Sequence, residues 1–381
     1  MDGLTAITRV IKMNDIKINI GVWAAIAVMV NAISARIFLN FPRVIIEGAG
    51  NAGWIQIIYA SLLVLLIFSM ICRLYSNFQG KDLIDIGEYI GGSLGRIIVG
   101  LPIIFILVLI GSIMLREYSE NMKIISLPIS PISFVMLFFC AGMITGAYLG
   151  LEAIVRFHAI VVPIILAAYV FILLGVSKYY DVSNFYPILG TGARAILLKD
   201  GFLKISLYAP ILYLFLMIPF LKTHKNFKTA GFAGIGLCAF LFTISALSYI
   251  AVFPYNIGLE QFLPTFELAR LIDYGKFFQR IESIFLLSWA TTGLMYLSVI
   301  LFFLAYTVKQ TFKLEYYKPL ILPLCVIIFC ISFLPPNLMS AIVLETKFYG
   351  EIAWAITLAF PLLILTLANV KKSHLKGGKR K

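Results

Sequence analysis

Asn31-Ala32-Ile33-Ser34-Ala35-Arg36-Ile37-Phe38-Leu39-Asn40-Phe41-Pro42-Arg43 places a full positive charge about midway through the first long apolar stretch of the chain. An ionised side chain at that depth costs several kcal/mol unless it has a partner or a water-filled cavity, so Arg36 is a functional-site candidate by default. The small and polar residues Asn31 to Ala35, followed by Asn40 and Pro42, work against a continuous helix. The first span is therefore read as interrupted, and interrupted spans are where membrane bundles hold small ligands near the bilayer midplane.

The rest of the sequence fits that reading. The 381 residues are 61% hydrophobic and only 13% charged, with a mean hydropathy of +0.98. Soluble domains carry about 25% charge, so an all-α polytopic membrane protein is expected. Apolar runs of about 20 residues, the length that crosses a hydrocarbon layer, fall near 19–46, 53–73, 97–116, 130–149, 154–176, 201–221, 230–253, 281–308, 319–335 and 350–370. That makes about ten transmembrane helices. The segment Met1 to Lys17 is polar and lacks a signal-peptide cleavage pattern, so no processing is expected.

Lys and Arg placement sets the expected orientation. With a cytoplasmic N-terminus, the inside loops collect Arg73, Lys81, Arg96, Arg156, Lys222, Lys225, Lys228, Lys309, Lys313 and Lys318 as well as both ends of the chain, whereas the outside set is poorer and interleaved with acids. Both termini are thus expected in the cytoplasm, with residues 1–370 as one integral domain and 371–381 as a basic cytoplasmic tail. The net charge of +13 is spread over loops and concentrated in that tail. Such a tail after a last span points to anionic lipid rather than nucleic acid as its partner. Five cysteines without close spacing and three histidines indicate no disulfide framework, metal site or cofactor. No nucleophile and base, phosphate loop or metal cluster appears at usable spacing, so an enzyme is not expected.

A second interruption is expected at Tyr208-Ala209-Pro210 in the sixth span, where proline removes a backbone donor. Spans one and six correspond if ten helices form two inverted repeats of five, and paired breaks point to a midplane site. The candidate ligand-binding residues are Ser34, Ala35, Arg36 and Ile37 at the first break, Tyr208, Ala209 and Tyr213 at the second, and Trp289 and Thr292 in the eighth span. Half-helix amides and Arg36 make the first break the expected anion end. Aromatic and hydroxyl side chains also pack or bond neighbouring helices in any membrane bundle, which is the bland account of Trp289 and Thr292. Glu152 and Arg156 lie one turn apart and are expected to pair. Arg116 with Glu117 and Glu120 is open between a local ion pair and a gate. Polar stretches at 77–96 and 254–280 read as amphipathic helices on opposite membrane faces.

Three runs then carry a resemblance: Arg116 to Lys123 with Leu127-Pro128-Ile129-Ser130-Pro131, Gly150 to His158, and Tyr186-Pro187-Ile188-Leu189-Gly190. They are joined by Phe41-Pro42-Arg43 with Gly48, Gly50 and Trp54, and by Phe266 to Arg270 through Phe277 to Glu282. In order and spacing the chain resembles the membrane-embedded B subunit of spore germinant receptors, the endospore germination permeases of the amino acid, polyamine and organocation superfamily. The resemblance implies a leucine-transporter-like 5+5 inverted repeat with helices 1 and 6 broken, and a pocket for a small-molecule nutrient, an amino acid or similar. It also implies an A-type membrane subunit and a C-type lipoprotein subunit as partners, in the spore inner membrane. One departure is that many relatives have a glycine-rich break in the first span where this chain has Ala35-Arg36-Ile37-Phe38, so Arg36 is expected to meet a ligand carboxylate in place of bare amides. An ion-coupled amino acid permease needs the same pocket and is the other reading.

Overall fold

The computed structural model describes residues 19–273 and 282–378. The basic residues Arg9, Lys12 and Lys17, the stretch from Lys276 to Ile281, and Lys379 to Lys381 lie outside them. Among the described residues the main helical segments, in chain order with shorter helices between some of them, are α1 (Val22–Ser34), α2 (Gly53–Tyr75), α3 (Leu83–Ile125), α4 (Ile132–Leu149), α5 (Leu151–Gly175), α6 (a mixed 3-10 and α segment, 199–220), α7 (His224–Val252), α8 (Glu282–Phe312), α9 (Lys318–Ile331) and α10 (Leu338–Leu375). Among the described residues seven helices are long and apolar enough to cross a membrane, and Val22–Phe38 and Lys318–Ile331 are shorter apolar helices. α1 falls short of full length because it is broken, and α6 because half of it is wound as 3-10 turns. Side chains such as Leu94, Ile98, Phe105, Phe134, Phe138 and Ile164 face outward, as a lipid-facing surface requires.

Both expected interruptions are present. α1 tightens into a 3-10 turn at Ala35–Phe38, leaves helical geometry at Leu39 (φ −107°, ψ −128°) and resumes as a half-helix, Phe41–Ala49, with Pro42 in its first turn. Proline there lacks only a donor that the helix start leaves unused. In α6 the 3-10 stretch Lys204–Ile211 contains Pro210 and gives way to α-helix at Leu212–Leu216. α1 packs against α5 and α7, and α8 against α3 and α4. The start of α1 and the end of α6 meet on what we call the near side, where the Ile20 amide donates to the Phe220 carbonyl at 2.9 Å. α1 leaves, and α10 begins, on the far side.

Two stretches that carry the resemblance meet on the far side. The Asn51 amide donates to the Tyr186 carbonyl at 2.8 Å. Gly190 (φ +50°) lies so close that a Cβ would stand 2.1 Å from the Ala49 carbonyl oxygen. No other residue type fits that position. Nearby, the short helix Pro264–Arg270 drops Thr265 into the core, where its hydroxyl donates to the Ile37 carbonyl at 2.6 Å. A carbonyl freed by the break in α1 is thereby satisfied.

On the near side α3 begins as the expected amphipathic helix and kinks at Gly91 and Gly92 (φ +61°) before crossing the bundle. The Lys371 ammonium donates to the Tyr89 and Ile90 carbonyls at the end of that first stretch, and Lys372 donates to the Asn77 carbonyl. Cations suit the negative end of a helix. Asp82 caps α3: its carboxylate accepts from the Ile84 and Asp85 amides at 2.9 Å and from the Tyr306 hydroxyl at 2.8 Å. Burial, with Asp85 alongside, pushes the Asp82 carboxyl up to about 6.

Asp82→Ala orphans three donors at once and is expected to lower stability in detergent by about 1–3 kcal/mol. A raised carboxyl contributes stability that is complete below its unfolded value of 3.8 and lost as pH climbs through about 6. Thermal unfolding across that range should therefore slope downward in the parent protein and flatten in Asp82→Asn.

Candidate functional site

The charge in the broken span has a partner. Arg36 is buried, and its Nε stands 3.1 Å from Oε1 of Glu345, which is buried as well. The guanidinium also lies over the Tyr349 ring, 4.9 Å from its centroid. Asn40, just beyond the break, approaches the second Glu345 oxygen at 3.5 Å. Glu345 reaches the centre because α10 is wound as a π-helix at Leu344–Tyr349 and again at Ala355–Ala359. Each wide turn rotates the helix relative to a regular α pattern and loosens its hydrogen-bond ladder, a feature common at functional sites. The Ser206 hydroxyl in α6 donates to the Gly350 carbonyl there, so α10 is tied to both broken spans.

Arg36, Asn40 and Glu345 form the buried floor of a cavity of about 510 Å³. Its rim carries Glu47, Asp200, Lys347 and Glu351, which are exposed on the far side. Glu117 of α3, 1% exposed, stands within Coulombic reach of both Arg36 and Glu345 and does not line the cavity. Arg116 turns the opposite way, pairing with Glu120 at 2.8 Å and donating to the Pro336 carbonyl at 3.2 Å. The Arg116, Glu117 and Glu120 group thus divides into a local ion pair and a lone buried acid. Tyr118, Trp289, Tyr296 and Tyr213 continue the cluster: Tyr118 and Trp289 have ring centroids 5.3 Å apart, and Tyr213 and Tyr296 6.3 Å.

The candidates from the sequence are distributed unevenly around this centre. Arg36 lies at it, whereas Tyr213 packs on Tyr296 and Trp289 on Tyr118 without lining the cavity. The Ala35 amide donates to the Asn31 carbonyl and so continues the helix, the Ser34 hydroxyl bonds the Val30 carbonyl, and the Ile37 carbonyl is held by Thr265. The helical break thus lies at Leu39 and Asn40, beyond the expected anion end. Tyr208 faces α2, sharing a hydrogen bond with Ser61 at 2.6 Å. Ala209 is buried without lining the cavity. The Thr292 hydroxyl donates to the Ser288 carbonyl at 2.8 Å. His158 bonds the Ile154 carbonyl through Nδ1 and faces Asn31 through Nε2, a packed structural arrangement. Arg156 and Glu152 form the expected pair on an exposed face. Sequence reasoning missed Glu345 and Tyr349. The signal for Glu345 was that a charge inside the bundle requires an opposite one, and Glu345 is an acid at the head of the last span.

Two broken spans meeting an ionised, π-wound helix define a protein with the fold of broken-helix secondary transporters. Solved structures share that fold: the Mhp1 transporter of the nucleobase-cation-symport-1 family with bromovinylhydantoin bound (TM-score 0.66, 12% identity, 92% of this chain and 78% of that one) and MhsT in complex with L-phenylalanine (0.65, 16%, 90% and 88%). A Na+-coupled sialic acid symporter in a substrate-bound, outward-open state is also similar (0.62, 11%, 89% and 77%). Sequence comparison then gives the family. The profile described as spore germination protein matches residues 19–340, and the chain belongs to that family. It is 23% identical to spore germination protein A2 of Bacillus subtilis (strain 168) over 379 residues, 95% of this chain and 98% of that one, and 22% identical to protein B2 of the same organism over 254 residues, 66% and 68%.

Arg36→Leu strands Glu345 as an unpaired buried charge and is expected to cost about 3–5 kcal/mol, seen as reduced folded protein in the membrane. Arg36→Leu with Glu345→Leu should recover much of the folded protein without recovering function. Equal loss of folded protein in the single and double variants would show that the pair does not carry this energy.

Proposed function

We propose that this protein is the nutrient-sensing membrane subunit of a spore germinant receptor. It binds an amino acid or similar small germinant near mid-membrane and passes that event to an A-type membrane subunit and a C-type lipoprotein subunit. The observation that carries the proposal is the buried charged cluster of Arg36, Glu345 and Glu117 beneath a cavity of about 510 Å³, at the junction of α1, α3 and α10. Charge of that kind inside a membrane bundle is expensive and marks ligand or ion sites, and membership of the spore germination protein family supplies the biological setting. The protein resides in the spore inner membrane with both termini cytoplasmic, residues 1–370 forming the integral domain and 371–381 lying against anionic lipid.

The second reading is an ion-coupled amino acid permease, favoured by the symporters and transporters among the structures of the same fold. The purified chain in liposomes is expected to bind its nutrient yet move little of it under an imposed proton or sodium gradient. Robust uptake by the chain alone would establish the permease instead. Spores lacking this gene are expected to lose the response to one class of nutrient in a germination panel. Reporter fusions after Lys199 and after Lys376 should report opposite sides of the membrane, and the same side for both would overturn the topology.

A further inference from the structure

α7 and α10 both pack on α2, and at the near side the three helices frame a cavity of about 750 Å³. The ionisable side chains lining it are Arg73 in the last turn of α2 and His224 and Lys228 in the first two turns of α7, with Cys72 beside them. No acid stands against them. Neither α2 nor α7 contains an acidic residue, and α10 has none after Glu351. Among the described residues no carboxylate lies within ion-pair distance of Arg73 or Lys228. The start of α7 is moreover that helix's positive end, where cations are unfavourable, yet His224, Lys225 and Lys228 gather there. An anion from outside the chain would relieve that repulsion.

The hydroxyls of the lining are already committed as donors. Ser69 donates to the Leu66 carbonyl, Ser76 to the Arg73 carbonyl and Thr366 to the Leu362 carbonyl, each at 2.7 Å. The Arg73 guanidinium and the Lys228 ammonium are left as charged donors, a pair suited to phosphate oxygens. Deeper in the bundle the same cavity turns apolar: Met70, Phe232 and Leu362 line it about one helical turn inside Arg73, Lys228 and Thr366. Alongside it, Leu66, Leu363 and Leu367 face outward, as lipid-facing residues do. The wall is held in place by Asn369 of α10, which donates to the Leu74 carbonyl at 3.1 Å and accepts from the Asn77 amide at 2.6 Å. A cationic mouth over an apolar wall, next to lipid, is the complement of a phospholipid; basic pockets between membrane helices hold such headgroups.

We propose that this cavity binds an anionic phospholipid, whose phosphate seats between Arg73 and Lys228 while an acyl chain lies along Met70, Phe232 and Leu362. A free phosphate would satisfy the two cations and leave the apolar wall empty, so the lipid is the source that fits the whole cavity. The site stands at the opposite end of the bundle from the cavity over the ion pair and holds whatever ligand the centre takes. It is also separate from the basic tail: Lys371 and Lys372 are engaged by the carbonyls of Tyr89, Ile90 and Asn77 and do not line it.

The test uses the purified full-length chain, delipidated in a neutral maltoside detergent, with native mass spectrometry of retained lipid and thermal unfolding as readouts. The probes are phosphatidylglycerol and phosphatidylcholine of the same acyl chains, with inorganic phosphate as the soluble source. Phosphatidylglycerol should be retained about tenfold more tightly than phosphatidylcholine and should raise the unfolding temperature. Arg73→Gln with Lys228→Gln should remove that preference; both side chains are exposed and without acidic partners, so the lipid-free double variant is expected to unfold with the parent. Ser69→Trp, which fills the cavity from an exposed position and leaves both cations intact, should remove it as well, and decides the question alone if the double variant fails to fold. A variant with Lys376, Lys379, Arg380 and Lys381 all changed to Gln should keep the preference. Preference that survives either cavity variant, or that is lost with the tail, would overturn the proposal in favour of diffuse attraction to a basic face. Equal retention of the two lipids, or protection by inorganic phosphate matching that of the lipid, would overturn it too.

Discussion

An isolated charge cannot stay in the middle of a membrane bundle, and much of this molecule's arrangement follows from keeping Arg36 there. Its position in α1 demands an acid at the same depth. Glu345 meets that demand only because α10 widens into π turns where it passes the break. The widened turns expose carbonyls, and Ser206 of the 3-10-wound α6 takes one of them at Gly350. One ion pair thereby ties α1 to α10, and one hydroxyl ties α10 to α6. The two broken spans do not pair through their own breaks. They are joined at the centre through a third helix, they pack directly against each other along Val22–Ser34 and Lys204–Leu216, and at the near side the Ile20 amide bonds the Phe220 carbonyl.

Both breaks were legible in the sequence because they rest on local chemistry. Asn40 with Pro42, and Pro210, act on the backbone within a turn of themselves. Glu345 was not legible, since an acid at the head of an apolar run reads as a loop residue unless the winding of the helix is known, and π turns have no sequence signature comparable to proline. Tyr208 shows the opposite error. It lies at a break, yet the tight 3-10 winding turns it onto Ser61 of α2. Residue type and span depth were therefore sufficient to find the buried charged layer around Arg36. Which side chains face its centre depended on helical pitch.

The same limit explains Arg116, Glu117 and Glu120. One turn of α3 carries three charges, and sequence alone leaves their grouping open. Packing settles it: the (i, i+4) pair of Arg116 with Glu120 lies on one face, and Glu117, about 100° around the helix, is turned into the bundle. Local pairing of Arg116 isolates Glu117. The lone acid and the closed ion pair are thus two outcomes of one short stretch of sequence.

The two ends of the bundle differ in a way that bears on sensing against transport. The far side holds a cavity with the ion pair as its floor, and further pockets lie at the near side beside Cys72 and His224 and between Tyr75 and Leu221. The near side is fastened by Ile20 to Phe220, by Lys371 and Lys372 to the carbonyls of Tyr89, Ile90 and Asn77, and by Tyr306 to Asp82. Transport requires a site to open alternately to each side, so every one of those near-side links within the moving parts would have to yield in each cycle. Sensing requires only that ligand binding favour one of two arrangements, and the ligand's differential affinity for them caps the signal. A rearrangement confined to the ion pair, the π turns of α10 and the break in α1 meets that requirement with the near-side fastenings intact.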